Sequence, residues 1–199
     1  MLTCVATSQK RLLQNTFVIG VVFSLLVAAA DGLLTRAGIG KDLLRLVFMA
    51  AVDGMLLWLI AESCKATIRT LAMFAGGGTL GAAYFIANYA NQPIYISASG
   101  SVDYIYYFAY AVILAPIFEE AIVRRWMYFG AAQWMGWFAS ALLVSTIFAL
   151  THRDMQLFAF GFSLLMCYMA FKGVKTLDRA VFHGSHSLIL QGLLVFYAT

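Results

Sequence analysis

Seven apolar runs, each near the length a bilayer-crossing helix requires, follow one another along this chain and leave little else to fold. A helix needs about 20 apolar residues to cross a hydrocarbon core about 30 Å thick. The runs fall at about 16–34, 43–60, 68–90, 102–132, 137–152, 155–171 and 179–198. With 63% hydrophobic and 11% charged residues in a chain of 199, the composition lies outside the soluble range and inside the membrane class. The fold expected is an all-α, polytopic integral-membrane helical bundle of about seven transmembrane helices, forming one domain over 1–199.

Several function classes drop out early. Cys4, Cys64 and Cys167 are far apart and show neither disulfide nor thiolate-metal spacing. The formal charge of +4 is spread singly between apolar runs, so no nucleic-acid stripe exists. Lys10 and Arg11 precede the first run as in a signal peptide, but the later spans make an uncleaved first helix the expectation. The segments on the N-terminal side of the membrane hold Lys10, Arg11, Lys65, Arg69, Arg124, Arg125, Lys172, Lys175 and Arg179. The other side holds Arg36, Lys41, Arg45 and Arg153, so the positive-inside rule places the N-terminus in the cytoplasm. In a prokaryote the bilayer would be the plasma membrane.

Polar residues inside these runs carry the functional argument. Asp53 reads as a helix-to-helix hydrogen bond or a protonated acid, because no motif surrounds it. Gly76, Gly77, Gly78 and Gly81 read as a site of close helix approach. The stretch 91–101, with Pro93, reads as the longest connection, a surface loop or a lid. Tyr104, Tyr106, Tyr107 and Phe108 suit a membrane interface. Pro116 removes a backbone donor and should kink its helix just before Glu119.

Glu119, Glu120, Arg124 and Arg125 form a charged cluster in otherwise apolar sequence, and intramembrane ionisable residues mark functional sites. All three histidines, His152, His183 and His186, come later in the chain. If the turns near Gln133 and Gly173 lie on one side, Glu119, His152, His183 and His186 sit about 21, 28, 15 and 20 Å from it at 1.5 Å per residue. The four converge on the bilayer interior, with Arg124 and Arg125 expected to snorkel towards the interface. Glu120 and Arg124 are i,i+4 and suit an ion pair, and Glu119 bears the same relation to Arg125.

Ala115-Pro-Ile-Phe-Glu-Glu-Ala-Ile-Val-Arg124 resembles the E-E-x-x-x-R motif of the CPBP intramembrane protease family. That family contains CAAX prenyl-protein endopeptidases and bacteriocin-processing or immunity proteins. Phe148-Ala-Leu-Thr-His152 is similar to its F-x-x-x-H motif, and His183-Gly-Ser-His-Ser187 to part of its H-x-x-x-N motif. The resemblance covers about 111–190 and makes 102–199 the catalytic core, preceded by helices one to three over 1–101. It implies Glu119 as general base, His152 as its partner on the attacking water, and Glu120 and Arg124 as a supporting pair. His183 would donate to the oxyanion, with Ser187 where the family has asparagine. Serine is shorter and donates one hydrogen bond, a weaker donor unless Gln191 or His186 compensates. Registering the motif on His186 instead would put Leu190 at the asparagine position.

The activity expected is hydrolysis of a peptide bond in a membrane-embedded, membrane-anchored or lipid-modified protein or peptide by a glutamate- and histidine-activated water, without a cofactor. A zinc alternative would use His152, His183, His186 and Glu119. A non-catalytic scaffold or immunity protein and a proton-coupled transporter are the other readings.

Overall fold

In a computed structural model, described over residues 2–37, 41–60, 67–89, 108–152 and 155–198, the chain is helical and shows no strand among those residues. We label the helices α1 (Leu2–Ala37), α2 (Lys41–Ile60), α3 (Ile68–Asn88), α4 (Tyr110–Thr151), α5 (Gln156–Phe171) and α6 (Thr176–Ala198). Helices α1, α2, α3, α4 and α6 contain stretches long and apolar enough to cross a membrane, and α5 is a shorter apolar helix of 16 residues. This is an integral-membrane architecture. The expected count of seven resolves into five such helices and one shorter one, because α4 is a single run of 42 residues.

At 1.5 Å per residue that run would extend about 63 Å, twice a hydrocarbon core. It does not, because Gly136 interrupts it at φ 78°, ψ 168°. A side chain is excluded from that backbone region on steric grounds, and glycine enters it freely. Residues 110–135 and 137–151 therefore form two arms. The first arm alternates helix types, with π-helical turns at Tyr110–Leu114 and Glu120–Tyr128 around the α-turn Ala115–Glu119. Pro116 accounts for part of this, since it cannot donate to the carbonyl of Val112. Just before it, the Ala115 N–H reaches back to Tyr110 O, a π-type bond. The expected kink is thus absorbed as a widened turn.

By their contacts the residues divide into two units. The first comprises Met1–Arg36 and Glu119–Thr176. In it α1 crosses the first arm of α4 at glycines: a Cβ on Gly20 would lie 2.8 Å from Met127 Cγ, and one on Gly130 2.5 Å from the Phe17 amide. Thr16 Oγ1 donates to Trp126 O at 3.1 Å, and Phe17 and Phe23 set their rings against Trp134 and Trp126. The second arm of α4 and α5 form a helical hairpin whose core includes Phe148, Ala149 and Ala159. Trp137 meets Phe171 at 5.6 Å, so the Gly136 break and the turn at Gly173 (φ 74°) lie at one end of this unit. That is the arrangement the depth argument assumed.

The second unit comprises Ala37–Phe118 and Leu177–Thr199. Here α3 lies backbone-close to α6. A Cβ on Gly77 would collide with Phe182 O and Ser185 Oγ, and one on Gly81 would lie 2.5 Å from His186 O. Close approach is thus the role of these glycines. A capping box, Thr67 with Thr70, opens α3, and Thr70 Oγ1 donates to Asp178 Oδ1 at 2.7 Å, tying α3 to the first turn of α6. Gly184 lies against Val112 O, the carbonyl that Pro116 cannot serve, and a Cβ there would collide with it. Asp53 is buried in α2, and neither carboxylate oxygen has a hydrogen-bond partner among the described residues, so of its two expected readings, a helix-to-helix bond or a protonated acid, the first finds no partner there. The connection at 91–101 and Tyr104, Tyr106 and Tyr107 lie outside the described residues.

Candidate active site

The first unit gathers four motif residues through the fold-back at Gly136. Arg124 and Phe148 are each twelve residues from Gly136 on opposite arms, and Glu120 and His152 are each sixteen. Antiparallel arms of equal length bring the members of each pair towards one level, about 18 Å from the turn for the first pair and about 24 Å for the second at α-helical rise. Contacts bear this out: the Arg124 guanidinium lies over the Phe148 ring, 4.4 Å from its centroid. Four residues back along the first arm, Glu120 Oε1 stands 3.6 Å from Arg124 Nη1, with both side chains fully buried. Four residues on along the second arm, the His152 ring lies 4.3 Å from the Phe148 ring, tilted by 31°. Phe148 thus has arginine and histidine as neighbours on the two arms.

His152 closes α4, its backbone leaving the helix at φ −110°, ψ 67°. Its Nδ1 is 2.9 Å from Phe148 O, which also accepts from Thr151 Oγ1 at 2.7 Å. A carbonyl only accepts, so the proton of a neutral imidazole belongs on Nδ1. Nε2 is then the acceptor, the state needed to take a hydrogen bond from water. The ring is half-buried.

Glu119 is half-buried, at the last position of the α-turn, and Glu120 begins the π-helical turn. The two adjacent carboxylates therefore differ: Glu120 is enclosed with Arg124, and Glu119 retains some exposure. Arg124 does not snorkel as expected. Its charge is met inside by Glu120 and by the face of Phe148, which removes the need to reach the interface. Arg125 is exposed, 5.8 Å over the Phe129 ring.

In the second unit His183 and Ser187 are half-buried and share a face of α6 by i,i+4 spacing. His186 is buried, its carbonyl against Gly81 and its ring 6.3 Å from Tyr84, so its neighbours lie on α3. Gln191 is half-buried one turn beyond Ser187. Among the described residues no three His, Cys, Asp or Glu side chains stand together as a metal-binding set.

Two positions escaped the sequence reading. Phe148 was only a motif letter, and Thr151 was not considered. The available signal was the i,i+4 step from Phe148 to His152, which places both on one helix face, and the hydroxyl one residue before the histidine.

The fold and this cluster define a class: integral-membrane helical proteins in which Glu120 pairs with Arg124, and Arg124 and His152 both pack on the Phe148 ring. Residues 101–189 match the family model described as type II CAAX prenyl endopeptidase, Rce1-like. This covers nearly all of the region whose motifs resemble the CPBP and CAAX proteases, and the resemblance holds there. No curated protein and no solved structure matches the chain.

Proposed function

We infer that the chain is an intramembrane endopeptidase that cleaves a membrane-anchored or lipid-modified protein, with a prenylated C-terminal peptide the substrate class the family match suggests. The observation that supports this most is the His152 clasp. Its Nδ1 faces the Phe148 carbonyl, which leaves Nε2 available to a water molecule.

In this reading Glu119 takes a proton from water as the oxygen attacks the scissile carbonyl carbon. His152 Nε2 accepts the other hydrogen of that water and orients it. The motif resemblance assigns the oxyanion donor to His183, with Ser187 at the position of the family's asparagine and Gln191 or His186 as the alternative donors. The C–N bond then breaks, and the proton held by Glu119 passes to the departing amine. Glu120 and Arg124 form a neutral pair that holds the first arm in place and keeps a second carboxylate out of the reaction. No step is assigned to a metal. The N-terminus is assigned to the cytoplasm by the distribution of basic residues.

The test is processing of prenylated and other lipid-modified substrates in cells expressing wild type, Glu119→Gln, His152→Ala or His183→Ala at matched levels. Wild type should cleave and the three variants should lose at least a hundredfold in rate. Full cleavage by Glu119→Gln would overturn the assigned base. Loss of wild-type cleavage with a chelator, restored by zinc, would replace the glutamate mechanism with the metal one. Proton flux in liposomes without any peptide product would favour a transporter, and neither activity would favour a scaffold.

A further inference from the structure

The interior of the first unit holds more polar atoms than the proposed chemistry uses. Arg124 Nε, Nη1 and Nη2, Ser145 Oγ and Ser163 Oγ are buried with no hydrogen-bond partner among the described residues. All three residues have zero exposure. Hydroxyls in transmembrane helices ordinarily satisfy themselves on their own helix. Ser140 does so on Gly136 O at 2.6 Å, and Thr146 on Leu142 O at 2.8 Å. Ser145 and Ser163 do not.

Their positions follow from the hairpin. Phe148 packs in one core cluster with Ala159 across the α4–α5 interface. Ser145 lies one turn from Phe148 towards Gly136, and Ser163 one turn from Ala159 towards Gly173. The arms are antiparallel and the two turns lie at one end, so both serines fall at the same level, one turn below the ring on which Arg124 is stacked. Three polar side chains from three helical segments thus fall within about one helical turn of one level.

The missing partner has a definable chemistry. Glu120 already balances the charge of Arg124, so its remaining N–H groups call for neutral acceptors. Serine hydroxyls donate and accept. The one small species that accepts from arginine and both donates to and accepts from serine is water, and buried water typically makes about three such bonds. We propose that Arg124, Ser145 and Ser163 bind a buried water cluster one turn from the Phe148–His152 contact. Its further role, as a local store of the water that hydrolysis consumes inside a bilayer, rests on the peptidase reading above.

Radiolytic hydroxyl labelling of the whole protein in micelles tests both statements, because radicals formed from bound water mark the side chains beside it. Wild type should show oxidation of Phe148 and of Met166, three residues from Ser163 on α5, although both are buried. The double variant Ser145→Val/Ser163→Val, which fills the space with methyl groups, should lower that labelling at least fivefold while exposed Trp58 is unchanged. If this variant loses helicity, Ser145→Ala/Ser163→Ala should still lower it about twofold. Absence of labelling at Phe148 in wild type, or equal labelling in wild type and a folded variant, overturns the water site. Lost labelling with cleavage reduced at least tenfold supports the store. Lost labelling with unchanged cleavage keeps the site and overturns its role in supply. Intact labelling in a protein that cleaves nothing refutes the peptidase reading alone.

Discussion

Removing Arg124 alone should destabilise the protein far more than removing it together with Glu120. The two groups stand 3.6 Å apart with no exposed surface on either side chain. At an effective dielectric of about 20, unit charges at that distance attract by about 4.6 kcal/mol. Arg124→Met deletes this attraction and leaves a carboxylate in an enclosed apolar setting, for which broken buried pairs show losses of about 3–5 kcal/mol. Glu120→Gln leaves the complementary uncompensated guanidinium. The double variant Glu120→Gln/Arg124→Met leaves no buried charge, retains most of the volume, and should lie within about 1–2 kcal/mol of wild type. The coupling from the cycle should therefore be at least about 4 kcal/mol, measured by denaturant unfolding in micelles and followed by helicity. Additive effects, with a coupling below about 0.5 kcal/mol, would refute the reasoning, because they would mean that water screens the pair. Cleavage by the same proteins separates support from chemistry. The stable double variant should retain measurable turnover, and Glu119→Gln should have none.

Three further outcomes follow from the packing. Phe148→Leu keeps apolar bulk but removes the ring between Arg124 and His152. It should lose about 1–2 kcal/mol in unfolding assays from the cation–π contact and about tenfold or more in cleavage rate, and wild-type cleavage would show that the ring positions nothing. Gly77→Ala should cost about 1–3 kcal/mol by thermal unfolding, since its Cβ meets the Phe182 carbonyl. Gly78→Ala, whose Cβ meets only Ile189 Cγ1 at 3.3 Å, should cost less than Gly77→Ala in the same assay. Gly136→Ala should cost about 1–3 kcal/mol from backbone strain alone, because nothing lies within 4 Å of its Cβ position. Gly54→Ala, equally open but at an ordinary helical φ, serves as the control and should be neutral or stabilising.

Membrane helices, close-packing glycines and the first two motifs were legible because each depends on residue type within a short window. Apolar run length sets the spans, and the absence of a Cβ sets the α3–α6 approach. Other features depend on partners distant in sequence. Arg124 carries the same snorkelling side chain whether or not Phe148 and Glu120 enclose it, and only the folded arms decide. The turn expected near Gln133 falls at Gly136, three residues on, where a residue able to adopt φ 78° is present. Lys10 and Arg11 suggested a charged segment ahead of the first span, yet the helix begins at Leu2, since basic residues with long stems are good helix formers and do not stop a helix.

The spacing of the first two motifs then acquires a physical cause. E-x-x-x-R, counted from Glu120, and F-x-x-x-H each step four residues along one helix face. Folding back at Gly136 sets the two steps on opposite arms, with Arg124 against Phe148 and with Glu120 and His152 each four residues farther from the turn. The cation-on-ring contact lies nearer the turn, and the carboxylate and the imidazole lie farther from it on their own arms. Equal spacing is what keeps the two steps in register. It also explains why the arginine belongs four residues from the glutamate: there it neutralises Glu120 and, by stacking on Phe148, holds in place the carbonyl that fixes the His152 tautomer. Glu119 stands one residue outside these steps and is half-buried; in the proposed reading it is the carboxylate that meets water.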